Sequence, residues 1–172
     1  MIGKFWTKMN CVLRVALLAL VVPVAAQAQT WIGTPGAAGI DETAAGLYDL
    51  SVGSLAYSSA TSSLSSITAY INVTDTTATG NPSWSTLELA YTDRSPSGSV
   101  TATLVRLSTG GGSVSIVTCV SVDSATSTKV QCTFPAGTVN FNSIYAYAVV
   151  ITLSRTSTAD APYPRFHSVR LF

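Results

Sequence analysis

Side chains suited to acid–base or nucleophilic chemistry are sparse in this sequence. A serine hydrolase holds a base, most often histidine, within hydrogen-bond reach of its nucleophile, and the chain has one histidine, His167. Serines are abundant, but none lies in the G-x-S-x-G pattern that exposes a nucleophile at a sharp turn. His167 sits in an alternating run between Arg165 and Arg170. This setting favours a half-exposed strand residue over a catalytic base.

Paired carboxylates could carry out glycoside hydrolysis, which requires two of them across a cleft. Most of the acidic residues lie at expected turns and strand ends, where Asp is common for backbone reasons. They are Asp41, Glu42, Asp49, Asp75, Glu88, Asp93, Asp123 and Asp160. Glu88 lies within an expected strand, on the face opposite Leu87 and Leu89, and we expect it to be exposed to solvent. No spacing pairs two carboxylates, so the sequence predicts no catalytic residue and a protein that is not an enzyme.

Metal and cofactor motifs are also missing from the sequence. One histidine and two cysteines outside the first 28 residues are too few for a usual zinc site. Calcium could use Asp75, Asp93 or Asp123 with loop carbonyls, but no D-x-D-x-D-G loop is present. The glycines at 110–112 do not form a phosphate-binding loop, because no Lys-Ser/Thr pair and no helix follows them. We therefore predict no cofactor and assign no metal ligand.

Aromatic side chains could do a different kind of chemistry, the stacking of a ligand ring. Tyr70 lies on the polar face of its expected strand, and Trp84 lies at the start of the next strand. These two residues are the positions that we name for possible ligand binding. The alternative is that the aromatic residues fill the core of the fold, and Trp84 in particular could pack there.

The first 28 residues have the composition of an export signal. Three basic residues precede an apolar run over 15–26, which is shorter than the roughly 20 residues that span a bilayer. The small residues Ala26 and Ala28 stand at the positions that a signal peptidase reads. We predict cleavage before Gln29 and export to the periplasm or the cell exterior, without membrane insertion after cleavage.

The charge of the chain argues against several classes of partner. Charged residues make up 10% of the sequence and the formal net charge is +1, whereas a typical domain is about 25% charged. Three of the nine Lys and Arg residues lie in the signal segment, so the remaining chain is close to neutral. A near-neutral domain has no electrostatic attraction to nucleic acid or to an anionic membrane surface. We expect no nucleic-acid partner.

Beyond the signal segment, the dominant pattern has a period of two. Ile67, Ala69, Ile71 and Val73, for example, alternate with polar residues, which is typical of an antiparallel strand with one buried face. Turn residues separate eight such runs. These runs are 46–57, 66–75, 84–93, 99–108, 113–122, 129–134, 143–155 and 166–172. The pattern predicts an all-β fold, an antiparallel β-sandwich of jelly-roll or Greek-key type with about eight strands.

The same pattern predicts how the chain is divided. Residues 46–172 have a length that suits one domain, preceded by an extended Gly- and Ala-rich lead-in over 29–45. The run 143–155 is apolar on both faces. A strand of this kind is covered on both sides, so we predict that it lies in the middle of a sheet.

Cys119 and Cys132 are the cysteines outside the signal segment. One disulfide suits an exported protein, and two free buried thiols are the alternative. If 113–122 and 129–134 form a hairpin around Ala125 and Thr126, the two cysteines lie directly opposite each other. Their Cα atoms are then roughly 4.5–5.5 Å apart, within the range of a disulfide. We predict a hairpin disulfide worth about 3 kcal/mol in the chain-entropy model.

The C-terminal third resembles the end of small exported bacterial β-sandwich proteins, most of them uncharacterised. The pattern that carries the resemblance is Tyr145-x-Tyr147-x-Val149-x-Ile151-x-Leu153-x-Arg155, then Pro164-x-Phe166-x-x-Val169-Arg170-Leu171. The resemblance implies a β-sandwich and export. It implies no activity and no site residue.

Three functions agree with these observations. The first is a non-catalytic exported protein that acts through its surface in cell-surface structure or adhesion, as the Ser- and Thr-rich β pattern and the missing catalytic set indicate. The second is a carbohydrate-binding module, favoured by the number of aromatic residues on a sandwich. The third is a filament subunit, in which the lead-in over 29–45 adds to an open sheet edge of a second copy. The expected partner is therefore a surface glycan or the protein itself.

Overall fold

The computed structural model describes residues 29–51, 53–74, 81–141, 144–159 and 163–172. The predicted signal segment lies outside these ranges, as do Asp75 and Asp160. Within them, nearly all regular structure is β-strand, and no helix is long and apolar enough to cross a membrane.

The described chain contains eleven strands and two short 3-10 turns. The strands are β1 (Trp31–Gly33), β2 (Gly39–Ile40), β3 (Tyr48–Ser51), β4 (Ser54–Tyr57), β5 (Ile67–Val73), β6 (Thr86–Asp93), β7 (Gly98–Ser108), β8 (Ser113–Val120), β9 (Ser124–Thr133), β10 (Tyr145–Arg155) and β11 (Arg165–Leu171). The 3-10 turns are Pro35–Ala37 and Glu42–Ala44. The predicted run 46–57 thus contains two strands, β3 and β4, which pair with each other.

The strands form two antiparallel sheets. Sheet A has the order β3–β4–β11–β6–β9, with β1 also paired to β11, and sheet B has the order β2–β5–β10–β7–β8. Without β1, β2 and β3, the order of sheet A is β4–β11–β6–β9 and the order of sheet B is β5–β10–β7–β8. This is the strand order of an eight-stranded, double-sheet jelly roll, so the predicted fold class is confirmed. Strand β10 lies between β5 and β7 at the centre of sheet B, as predicted. It is not covered on both sides, because on its outer face Ala146 is exposed and Val150 and Thr152 are half-buried.

Alternate residues of both sheets pack into one core between the sheets. Ile71 and Ile151 from sheet B and Leu89 and Phe166 from sheet A are 0 or 1% exposed. Burying each such side chain contributes roughly 1.5–3 kcal/mol. The core therefore fixes the two outer faces of the sandwich, which remain open to partners.

The disulfide between Cys119 and Cys132 is present, with a Cα–Cα distance of 5.7 Å. It does not lie within a hairpin, so that part of the prediction was wrong. Strand β8 pairs with β7 in sheet B, and β9 pairs with β6 in sheet A. The chain crosses between the sheets after Val120, and the expected turn residue Ala125 already belongs to β9. The bond ties together the edge strands of opposite sheets.

The lead-in is docked on its own chain. Strand β1 places Trp31 opposite Leu171 of β11, and β2 places Gly39 opposite Tyr70 of β5. A Cβ atom on Gly33 would lie 2.7 Å from the Trp31 ring, so only glycine allows β1 to sit this close to the core. Strand addition to a second copy would require this segment to leave both sheets.

Candidate functional site

The outer face of sheet B is uncharged over the described residues. It consists of the even positions of β5 (68–72) and β10 (146–154), the odd positions of β7 (99–107), and 113, 115, 118 and 120 of β8. All of these residues are Ser, Thr, Asn, Ala, Val, Leu or Tyr. We call this surface the neutral face.

Tyr70 is the aromatic residue of the neutral face and is 47% exposed. It lies in one row across the sheet, between Gly39 of β2 and Val150 of β10. Because Gly39 has no side chain, nothing covers the ring from that strand. Tyr70 therefore presents an exposed aromatic surface at a defined position.

Hydroxyl groups lie farther along the same sheet face. Val150 is followed across the sheet by Thr103 and Thr118, whose Oγ1 atoms lie 3.1 Å apart. A further pair, Ser99 and Ser154, has an Oγ–Oγ distance of 2.7 Å. Hydroxyl groups both donate and accept hydrogen bonds. The face therefore combines an aromatic ring, apolar side chains such as Val150, and neutral donors and acceptors.

Trp84 does not share this surface, because it is 1% exposed. Its ring meets Phe141 edge-on, with the ring centroids 6.2 Å apart, and its indole Nε1 donates a hydrogen bond to the carbonyl oxygen of Gln29. Ring stacking with a ligand requires an exposed ring face. The prediction for Trp84 is therefore corrected: in this structure the residue fills the core.

Glu88 lies on the outer face of sheet A but is 5% exposed, so the expectation of solvent exposure was wrong. Its carboxylate lies 3.0 Å from Lys129 Nζ and 3.2 Å from Arg170 Nη2, and it accepts a hydrogen bond of 2.7 Å from Gln131 Nε2. These neighbours come from the flanking strands β9 and β11 and cover the carboxylate. Burial raises the pKa of Glu88, but the hydrogen bonds from Gln131 and Lys129 and the two positive charges outweigh it, so the pKa is lowered.

The three C-terminal arginines do not form one solvent-facing patch. Arg155 is 4% exposed; it donates hydrogen bonds to the carbonyl oxygens of Thr61 and Ser63. Arg165 and Arg170 lie on β11 in sheet A. Arg155 is therefore a buried structural residue of the connection between β4 and β5.

His167 and Asp93 both serve local structure. His167 Nε2 lies 2.8 Å from Thr92 Oγ1, and its Nδ1 lies 3.4 Å from the Gly53 carbonyl oxygen. Asp93 is 2% exposed and accepts a hydrogen bond of 2.5 Å from Ser121 Oγ. Burial raises the pKa of Asp93. Among the described residues, no three His, Cys, Asp or Glu side chains form a group that could hold a metal ion.

Comparison with known proteins gives a weak structural similarity. No family model matches this chain, and no curated protein matches it. A solved family 11 carbohydrate-binding module from Clostridium thermocellum, in complex with a β-1,3-1,4-mixed-linked tetrasaccharide, is 9% identical with a TM-score of 0.45, covering 84% of this chain and 87% of that chain. The family 11 module of the cellulosomal cellulase Lic26A-Cel5E of Clostridium thermocellum is 8% identical with a TM-score of 0.43, covering 84% and 86%. Similarity at this level says nothing about what this chain binds.

Proposed function

We propose that this protein is a non-catalytic module that binds a neutral polysaccharide through the neutral face of sheet B. The observation that carries the proposal is the exposed ring of Tyr70 on an uncharged sheet face that also carries Ser and Thr hydroxyl groups. The C–H face of a sugar ring stacks on an aromatic side chain, whose body is apolar. The hydroxyl groups of the same face can exchange hydrogen bonds with the hydroxyls of a longer sugar chain as both donors and acceptors.

The shape of the neutral face favours a polymer over a small molecule. Small ligands bind in concave pockets that bury most of their surface, whereas this face is one side of a sheet about 20 Å wide across five strands. A repeating chain can contact such a face at several weak points together. The exposed side chains of Leu107 and Val120 add apolar contact toward the β8 edge.

The charge of the face favours a neutral polymer. An acidic polysaccharide would require Lys or Arg at the contact, because a carboxylate that loses water must be paired or hydrogen-bonded. The neutral face has neither residue type. The charged side chains Glu88, Lys129 and Arg170 lie on the outer face of sheet A, on the other side of the sandwich.

Retention on insoluble polysaccharides tests the proposal. We expect residues 29–172 to be depleted from solution by at least one of cellulose, chitin and an insoluble β-1,3-glucan. Tyr70→Ala should weaken this binding about tenfold, the loss expected for roughly 1.4 kcal/mol of stacking. Ile32→Ala is the matched control, because Ile32 is 61% exposed but lies on β1 in sheet A. Free passage of the wild type over all three solids, or equal retention of Tyr70→Ala, would refute the proposal.

We also propose that the protein works outside the cytoplasm, where a polysaccharide-binding surface would support cell-surface structure or adhesion. The composition of residues 1–28 supports this part of the proposal. N-terminal sequencing of the protein made from the full gene should find Gln29 as the first residue. A protein that retains Met1 and stays in the cytoplasm would contradict it.

A further inference from the structure

A small pocket opens on the outer face of sheet A, on the opposite side of the sandwich from Tyr70. Its volume is about 260 Å³. Side chains from β3, β4, β11 and the segment after β4 line it, among them Asp49, Ser51, Ser54, Ala56, Ser59 and Arg165. We call it the Asp49–Arg165 pocket.

The register of three strands creates this pocket. Ala56 of β4 pairs with Asp49 of β3 on one side and with Arg165 of β11 on the other. The acidic and basic residues thus stand two strand spacings apart, roughly 10 Å between their Cα atoms, with a methyl group between them. In the next row, Ser51 and Ser54 pair, and their Oγ atoms lie 2.9 Å apart. The short Ala56 side chain leaves the space that larger residues would fill.

Asp49 and Arg165 do not neutralise each other. Among the described residues, the ion pairs are those of Glu88 with Lys129 and with Arg170. The Nε atom of Arg165 is buried and has no hydrogen-bond partner. A buried donor without a partner is destabilising by about 1–3 kcal/mol. Arg165 lines the pocket and takes part in neither of these ion pairs, so its guanidinium is a candidate donor to a ligand oxygen.

The Arg165 guanidinium is also positioned by a neighbouring aromatic ring. It lies 4.9 Å from the centre of the Tyr163 ring, and Arg94 lies 4.2 Å from the same ring. Both contacts have the geometry of cation–π interactions. A group held in this way loses less conformational entropy when a ligand binds.

We propose that the Asp49–Arg165 pocket binds a single neutral sugar ring. Sugar hydroxyls can donate to the Asp49 carboxylate, accept from Arg165, and do both with the serine hydroxyls. The negative charge of Asp49 would repel an anion, and the positive charge of Arg165 would repel a cation. The volume lies just below the lower limit of about 300 Å³ for small-molecule sites, which fits one ring and not an extended chain. The proposal does not depend on the neutral face, because the two sites lie on different sheets.

Titration of the ¹⁵N-labelled protein with glucose, galactose, mannose and N-acetylglucosamine tests the pocket by NMR. At least one of these sugars should shift the amide signals of 49–56 and 165 at millimolar concentration. Arg165→Gln and Asp49→Asn should each weaken that binding about tenfold or more, the effect of losing a charge-assisted hydrogen bond. The matched controls Arg106→Gln and Asp123→Asn, which lie outside the pocket, should leave it unchanged.

Three results would overturn the proposal. The first is that none of the four sugars shifts the amide signals. The second is that the shifts persist unchanged in both Arg165→Gln and Asp49→Asn. The third is that the zwitterion glycine shifts the signals of 49–56 while the sugars do not. The test of the pocket can fail or succeed independently of the test of the neutral face. Arg165→Gln should be retained on insoluble polysaccharide like the wild type, and Tyr70→Ala should bind the free sugar like the wild type.

Discussion

Replacing Arg155 with methionine should strongly destabilise the fold. Arg155 ends β10 and is 4% exposed. Its Nη2 atom lies 2.8 Å from the carbonyl oxygens of both Thr61 and Ser63, and its Nε lies 3.0 Å from that of Ser63. The guanidinium also lies 4.0 Å from the centre of the Tyr57 ring. These contacts fasten the connection from β4 in sheet A to β5 in sheet B.

The size of the effect follows from the groups left behind. Methionine fills much of the space of the arginine stem, so the cavity is small. The carbonyls of the half-buried residues Thr61 and Ser63 lose hydrogen bonds to a charged donor, each worth about 1.5–3 kcal/mol, and a cation–π contact of about 1–2 kcal/mol is lost. Removing a buried cation offsets part of this loss, because its desolvation is itself unfavourable. We expect a net loss of about 3 kcal/mol, or about 10 °C in Tm.

Guanidinium denaturation of the oxidised protein, followed by tryptophan fluorescence, measures this loss. Hydrogen exchange at 58–66 should accelerate in the variant, because Arg155 holds that connection. Arg106→Met is the control: the Arg106 guanidinium lies over the Tyr145 ring at 4.5 Å on a half-buried residue, and its loss should be below about 1 kcal/mol. If Arg155→Met unfolds within about 1 kcal/mol of the wild type, the reasoning about its buried hydrogen bonds is refuted.

Two further predictions concern the cross-link and the buried carboxylate. Replacing both Cys119 and Cys132 with serine should lower the free energy of unfolding by about 3 kcal/mol. The two residues are 13 apart in the sequence, and the chain-entropy model gives about this value for a loop of that size. A loss below about 1 kcal/mol in denaturant titrations would contradict this prediction. Glu88→Gln should reduce stability by about 1–2 kcal/mol at pH 7. The pKa of Glu88 is lower in the folded protein than in the unfolded chain. The extra stability of the wild type over Glu88→Gln is therefore fully present above the unfolded-state pKa of about 4.3. It disappears as the pH falls through the pKa of Glu88 in the folded protein. A difference between wild type and variant that stays constant from pH 7 to pH 2 would rule out the ion pairs as its source.

The period of two in the sequence was enough to predict the strands and the fold class. The alternation over Ile67–Val73 became β5, and the doubly apolar run 143–155 became the central strand β10. The same alternation placed Arg155 in phase with the core residue Leu153, which is a signal of burial. The general rule that arginine is exposed predicts the opposite.

Features that depend on strands distant in sequence could not be predicted. Glu88 faces outward as its alternation indicates, yet Lys129 and Arg170 from other strands cover it. The two cysteines were correctly paired, but the spacing of β8 and β9 does not reveal that they join different sheets. The Asp49–Arg165 pocket exists because β4 places Ala56 between β3 and β11, and no local pattern specifies that register.

The disulfide has a consequence for the motion of the sandwich. No backbone ladder joins sheet A to sheet B in the described chain, so side-chain packing, the connecting segments and the cross-link hold the sheets together. The cross-link lies at the β8–β9 edge. At the opposite edge, the short segment from β1 to β2 and the Arg155 contacts on the β4–β5 connection join the same two sheets. Reduction of the disulfide therefore releases one edge of the sandwich and leaves the edge beside Tyr70 and the Asp49–Arg165 pocket fastened.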